Sequence, residues 1–155
     1  MFWGVFRKGR MGPGVFFDLE KGQSVDSAVY LNQILLGPLQ QFWEESFEDI
    51  RVPIVMEDNA PVHKKVCIPA RTKLGMTVLK WPPNSPDLNS IENIWSYMKD
   101  IIGKDYREVS SVAEMKRIVR SMWENFKDKQ WDKLIESLPE RMAAVIAVKG
   151  GSTRY

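Results

Sequence analysis

The sequence predicts an α/β fold, with a small sheet toward the front and a helical C-terminal tail. Three observations carry this. Short valine- and aromatic-rich runs at 1–6, 12–19, 52–57 and 76–81 are bounded by Gly, Pro, Asp or Asn, as strands are. Between the last two lies a helix-like stretch, and a strand, helix, strand order makes parallel pairs whose carboxyl ends are where sites form. Beyond residue 89, apolar side chains recur every three or four positions, which is the helical period.

Taken in order, "MFWGVF" and "GPGVFFDL" read as a hairpin around "RKGRMGPG", whose Gly and Pro supply turn conformations. From Ser24, the expected N-cap, Val25, Ala28, Val29, Leu31, Ile34 and Leu35 follow helical spacing until Gly37-Pro38, where an interruption is expected. Leu39, Phe42 and Trp43 suggest a resumed turn. "VPIVME" and "MTVLKW" are the buried strands, and the helix between them is expected to break at Pro69. After "WPPNSPDLNS", Ile91, Ile94, Trp95, Met98 and Ile101 or Ile102 mark a strong helix. Ser111 and Glu114 form a capping-box pattern before the stripe Val112, Met115, Ile118, Val119, Met122, Trp123 and Phe126. A last helix is expected after Pro139.

Length and composition bound the function classes. A chain of 155 residues, 44% hydrophobic, is expected to form one domain, 1–155, and to bury roughly 68–70% of its unfolded surface. The single cysteine, Cys67, excludes an internal disulfide scaffold and fits a reducing, intracellular setting. No apolar run reaches the roughly 18 residues that span a bilayer, and "MFWGVFRKGR" turns charged too early for a secretory signal. The net charge is only +2, yet residues 15–58 hold nine acids against two bases, while 61–81 hold five bases and no acid. Those bases, Lys64, Lys65, Arg71, Lys73 and Lys80, suit either phosphate contact or a solvated helix face.

Two carboxylates stand out. Asp58 ends a buried strand and Glu92 lies in the first turn of the helix after the next strand, so the crossover brings both toward one sheet edge. Converging carboxylates repel unless a cation joins them, and hard divalent ions accept one or two carboxylates plus water and phosphate oxygens. A pair of such ions activates a water or hydroxyl and stabilises the leaving oxygen of a phosphodiester. The same residues equally suit structural duties: Asn89 and Glu92 have capping-box spacing, and Asp58 before Asn59 and Pro61 suits a turn. Asp87 suits a turn or a helix entry. His63, the only histidine, could assist proton transfer or touch phosphate, although a lone histidine near a helix start is more often structural. Cys67 lacks a partner in ligand spacing and reads as a small buried hydrophobe. Trp95 and Trp123 fall on apolar stripes and read as core; Trp81, before Pro82-Pro83, is open between stacking and packing.

"EDNAPVH" followed by "WPPNSPDLNSIENIW" resembles the catalytic domain of Tc1/mariner-type transposases, members of the DDE superfamily with an RNase H-like fold. The likeness runs from "MFWGVF" and "GPGVFF", similar to that family's second and third strands, to "SLPERMAAVIAVKGGSTRY", similar to its carboxyl end. It implies an RNase H-like mixed sheet and Mg²⁺- (or Mn²⁺-) dependent DNA cleavage and strand transfer. The second and third catalytic, metal-binding carboxylates then fall on Asp58 and Glu92, with 33 residues between them. Ser90 stands where the family usually has Pro. Lys64, Lys65, Arg71, Lys73, Lys80 and Lys99 become candidates for DNA backbone contact.

The family's first catalytic Asp belongs to a first, central strand ahead of the segment that Met1 to Phe6 resembles, and Asp18 does not replace it. The expectation is therefore an amino-terminally truncated domain lacking its first strand, with impaired catalysis. Strands 3–6 and 52–57 are then expected to be poorly paired, or closed against each other. The alternative is a non-catalytic remnant acting as a DNA-binding or protein-interaction module, with a homologous transposase chain as partner. The resemblance also implies a nuclear location, and no membrane.

Overall fold

A computed structural model describes residues 1–80 and 88–148. Trp81, Asp87 and the turn-rich stretch around them, with the tail from Lys149, lie outside the described residues. Strands β1 (Phe2–Arg7) and β2 (Arg10–Phe16) form a two-stranded sheet. Gly9, at φ +77°, supplies the left-handed residue that a two-residue hairpin turn requires. The turn is thus shorter than "RKGRMGPG" suggested, and Arg10–Gly14 continue the strand. Pro13 is tolerated because a two-stranded sheet leaves edges whose N–H groups need no partner strand.

The chain divides into two compact units, the first holding Met1–Gly4 and the residues from Val15 through Lys80, the second Val5–Gly14 and the residues from Leu88 onward. In the first unit, Phe2 packs on Phe16 with ring centroids 4.8 Å apart, and Phe17 N donates to Met1 O at 3.1 Å. A continuous helical run then covers α1 (Ser27–Tyr30), a π-helical stretch (Leu31–Leu39), α2 (Gln40–Glu45) and a 3₁₀ turn (Ser46–Glu48). The cap is Asp26 rather than Ser24: its Oδ1 accepts from Ala28 N and Val29 N, both at 2.9 Å. Nor does Gly37-Pro38 interrupt the helix. Pro38 sits inside the π-wound stretch, where the widened turn relieves the clash and the missing N–H that a proline brings to an α-helix. Tyr30, Ile34, Leu35, Leu39 and Phe42 form the buried face of this run.

β3 (Ile54–Val55) and β4 (Thr77–Val78) pair in parallel, Ile54 opposite Thr77 and Val55 opposite Val78, joined by α3 (Cys67–Leu74). Both strands are shorter than their apolar runs. Among the described residues, β3 and β1 lie in separate sheets, so the segments 3–6 and 52–57 have not closed against each other. Pro69 does not break α3, because it falls in the first turn, where its N–H would have no helical partner in any case. Gly75, at φ +73°, ends the helix in the left-handed conformation.

In the second unit, α4 (Ser90–Asp105), α5 (Val112–Glu124), α6 (Asp132–Glu136) and α7 (Leu138–Ala147) make the helical tail. Ile94 and Met98 are buried on α4, one turn apart as the periodicity requires. Ser111 caps α5 by accepting from Glu114 N at 3.4 Å. Val112, expected on the apolar stripe, is exposed, whereas Trp123 is buried and stacks on Trp95 at 5.4 Å. The hairpin tip is held by carboxylates: Gly9 N donates to Asp132 Oδ1 at 2.7 Å, Met11 N to Asp128 Oδ1 at 2.9 Å, and Lys8 pairs with Glu136 at 2.7 Å. No helix among the described residues is long and apolar enough to cross a membrane.

Candidate active site

Asp58 leaves the carboxyl end of β3 three residues after Val55, on the loop that leads into a 3₁₀ turn (Pro61–His63). Its Oδ1 accepts from Ala60 N at 3.0 Å, the local turn that Asp favours, and lies 2.8 Å from His63 Nδ1. Turn-former and candidate ligand therefore coexist in one side chain. The Asp58 side chain remains 51% exposed, against 17% for His63, and its Oδ2 has no partner among the described residues. The His63 hydrogen bond, opposed by partial burial and helped by Ala60 N, lowers the Asp58 pKa below the ordinary 3.8. Burial alone would depress His63, but its hydrogen bond to Asp58 and the Glu57 charge outweigh this, so its pKa ends above 6.5. The pair is consequently ionised across the intervening range.

Beneath this loop lies a network that the sequence reading missed. Arg71, expected to contact DNA, is instead buried: its side chain is 7% exposed and its Nη2 stands 2.5 Å from Glu57 Oε2. Its Nη1 donates to His63 O at 2.7 Å. A guanidinium committed at both ends and closed off from water has no fork left for phosphate. Tyr30, the last residue of α1, donates its hydroxyl to Glu57 Oε1 and packs its ring 4.5 Å from that of His63. Burial first, then the Glu57 charge, raise the Tyr30 pKa, so the hydroxyl stays a donor. Arg71 thus straps Glu57, on one side of Asp58, to His63, on the other. The signal was Glu57 itself, an acid closing the apolar run "VPIVME", since a buried carboxylate demands a cation.

The remaining parts are simpler. Cys67 is fully buried, as expected, donates to Ser27 O and Val62 O at 3.4 Å, and has its pKa raised by burial. Lys64, Lys65, Lys73 and Lys80 are exposed on the first unit and Lys99 on the second. Glu92 belongs to the second unit, in the first turn of α4, where its N donates to Asn89 O at 3.0 Å. Asn89 caps α4 without a side-chain hydrogen bond, and the Glu92 carboxylate has no hydrogen bond or ion pair among the described residues. The reciprocal capping box is therefore not formed. Among the described residues, no three His, Cys, Asp or Glu side chains cluster as a ready metal cage. Each by itself, Asp58 Oδ2 and the Glu92 carboxylate are hard oxygens without a partner among the described residues, the donor type that Mg²⁺ or Mn²⁺ takes.

The profile described as DDE superfamily endonuclease matches residues 17–116, well over half the chain and inclusive of both carboxylates. The chain belongs to that family. It is of the Tc1/mariner type: it is 29% identical to the Tc3 transposase of Caenorhabditis elegans and 28% identical to the Tc1 transposase of the same organism, in each case over its whole length. It covers 45% and 54% of those proteins, so this DDE chain spans about half the length of its relatives. The Mos1 transposase catalytic domain, solved with raltegravir and Mn, superposes with a TM-score of 0.81 at 20% identity, over 99% of this chain and 76% of that one. A pre-cleavage Mos1 transpososome superposes at 0.79 and 21%, covering 96% and 44%. The DDE chain therefore has the RNase H-like α/β fold, here with small sheets and a helical tail.

Proposed function

We propose that this chain is the part of a Tc1/mariner transposase that cuts and joins DNA phosphodiesters, with Asp58 and Glu92 as metal-binding carboxylates. The observation that carries the reading is Asp58: a half-exposed carboxylate on the loop that leaves a parallel strand, held ionised by His63 and with one oxygen that has no partner among the described residues. Glu92, in the first turn of α4 and without a side-chain partner among the described residues, is the second ligand. Bound Mg²⁺ or Mn²⁺ would supply activation of the attacking oxygen and stabilisation of the leaving one. The protein's own contribution is to hold Asp58 charged, to present Glu92 from the first turn of α4, and to meet the phosphate backbone through the exposed Lys64, Lys65, Lys73, Lys80 and Lys99. The Mos1 structures described as paired-end and strand-transfer complexes support DNA and a second transposase chain as partners, and a nuclear site of action follows from that role.

Nicking of supercoiled plasmid with Mg²⁺ or Mn²⁺ tests the reading. Activity is expected to require the metal and to vanish in Asp58→Asn and Glu92→Gln, while filter binding of DNA weakens steadily as salt rises. Cleavage that survives Asp58→Ala would refute the assignment.

A further inference from the structure

Helix α4 opens without the side-chain cap that normally steadies a first turn, since Asn89 makes no such bond. A tertiary tie stands in its place. Arg141, on α7 and only 4% exposed, donates from Nη2 to Ser90 Oγ at 2.6 Å and also to Leu134 O. Ser90, 5% exposed, in turn donates its hydroxyl to Leu134 O at 3.1 Å, and Ser137 Oγ reaches the same carbonyl at 3.2 Å. The first residue of α4 is thereby fastened both to the Leu134 carbonyl within α6 and to Arg141 on α7.

This arrangement has a cost that simple packing would not require. A guanidinium is hard to desolvate, and the amino end of a helix is the positive end of its dipole. An aliphatic side chain would fill the same space with neither penalty. What the guanidinium adds is direction: two donor contacts from one planar group fix the angle at which the first turn leaves the loop. Glu92 is two residues from Ser90 in that turn, so the tie also sets where its carboxylate points.

We propose that Arg141 is a positioning residue for Glu92, acting through Ser90; the proposal rests on Glu92 being a metal ligand. Partners that orient a metal ligand from behind are typically worth about 10–100-fold in metal affinity. Lysine at 141 keeps the charge but loses the planar fork, and Ser90→Ala removes the hydroxyl while keeping a good helix former.

The test compares Arg141→Lys, Ser90→Ala and Glu92→Gln in the full chain, by amide hydrogen exchange without metal and by Mn²⁺ titration read from the free-ion EPR signal. Exchange at the Glu92 amide is expected to quicken by about tenfold in the first two variants, the loss of one charge-assisted hydrogen bond, with Met98 unchanged. Mn²⁺ affinity is expected to fall by at least about tenfold in Arg141→Lys and in Glu92→Gln. Unchanged exchange in both Arg141→Lys and Ser90→Ala overturns the tie. Quickened exchange, or a lower melting temperature, with wild-type Mn²⁺ affinity in Arg141→Lys reduces Arg141 to a structural role and overturns the proposal. Wild-type affinity in Glu92→Gln sinks the ligand reading beneath it, and exchange then still reports on the tie by itself.

Discussion

Replacing Arg71 by Leu is the most informative single change in this protein. It removes a guanidinium that contacts Glu57 Oε2 at 2.5 Å and His63 O at 2.7 Å, and leaves the Glu57 carboxylate buried without its cation. Removing one partner of a buried pair costs about 3–5 kcal/mol, because the stranded charge keeps its desolvation penalty. A chain of this length loses roughly 2–4 °C of melting temperature per kcal/mol, so a drop on the order of 6–20 °C is expected. Leu at both Arg71 and Glu57 should be far milder than the sum of the single changes, since no buried charge is then left unmatched. The penalty that remains comes from Tyr30 and the His63 carbonyl, which lose their partners. Urea unfolding of the two single variants and the double variant closes the cycle. A cost below about 1 kcal/mol for Arg71→Leu, or strict additivity in the double variant, would show that the strap under the Asp58 loop does not exist.

Other outcomes follow from the same contacts. His63 is the only histidine, so its C2 proton can be followed by NMR: it should titrate above 6.5, and its midpoint should fall in Asp58→Asn. A folded pKa raised above the unfolded one means that this pair's stabilisation is present below about 6.5 and is lost as pH rises through the folded value; Asp58, shifted down, loses its share only as pH falls through its own lowered pKa. Cys67, buried with its pKa raised, should resist iodoacetamide in the native chain and react quickly in urea; rapid native labelling would contradict its placement. Asp26→Ala removes the acceptor of two backbone bonds at the start of α1 and should cost about 0.5–2 kcal/mol by chemical denaturation, whereas Ser24→Ala should cost almost nothing.

Features that depend on neighbours along the chain were legible before any coordinates. The apolar repeat of "IENIWSYM" placed Ile94 and Met98 on the buried face of α4, and Ser111 was readable as the cap of α5, because helical periodicity and capping are encoded within about four residues. The segments "EDNAPVH" and "SPDLNSIENIW" also supplied Asp58 and Glu92, the carboxylates on which the proposed function rests. Where local signals competed, the outcome was decided elsewhere. Asp26 displaced Ser24 as the cap, and the helix ran on through Pro38 by winding wider, because Tyr30, Ile34, Leu35, Leu39 and Phe42 all find burial along that path. Only the tertiary structure could turn Arg71 from a basic-patch residue into the buried partner of Glu57, 14 positions back, or join Ser90 to Arg141, 51 positions on. Charge and spacing say that a residue can form an ion pair or a hydrogen bond; which partner it meets, and whether water reaches it, is fixed by the packing of segments distant in the chain.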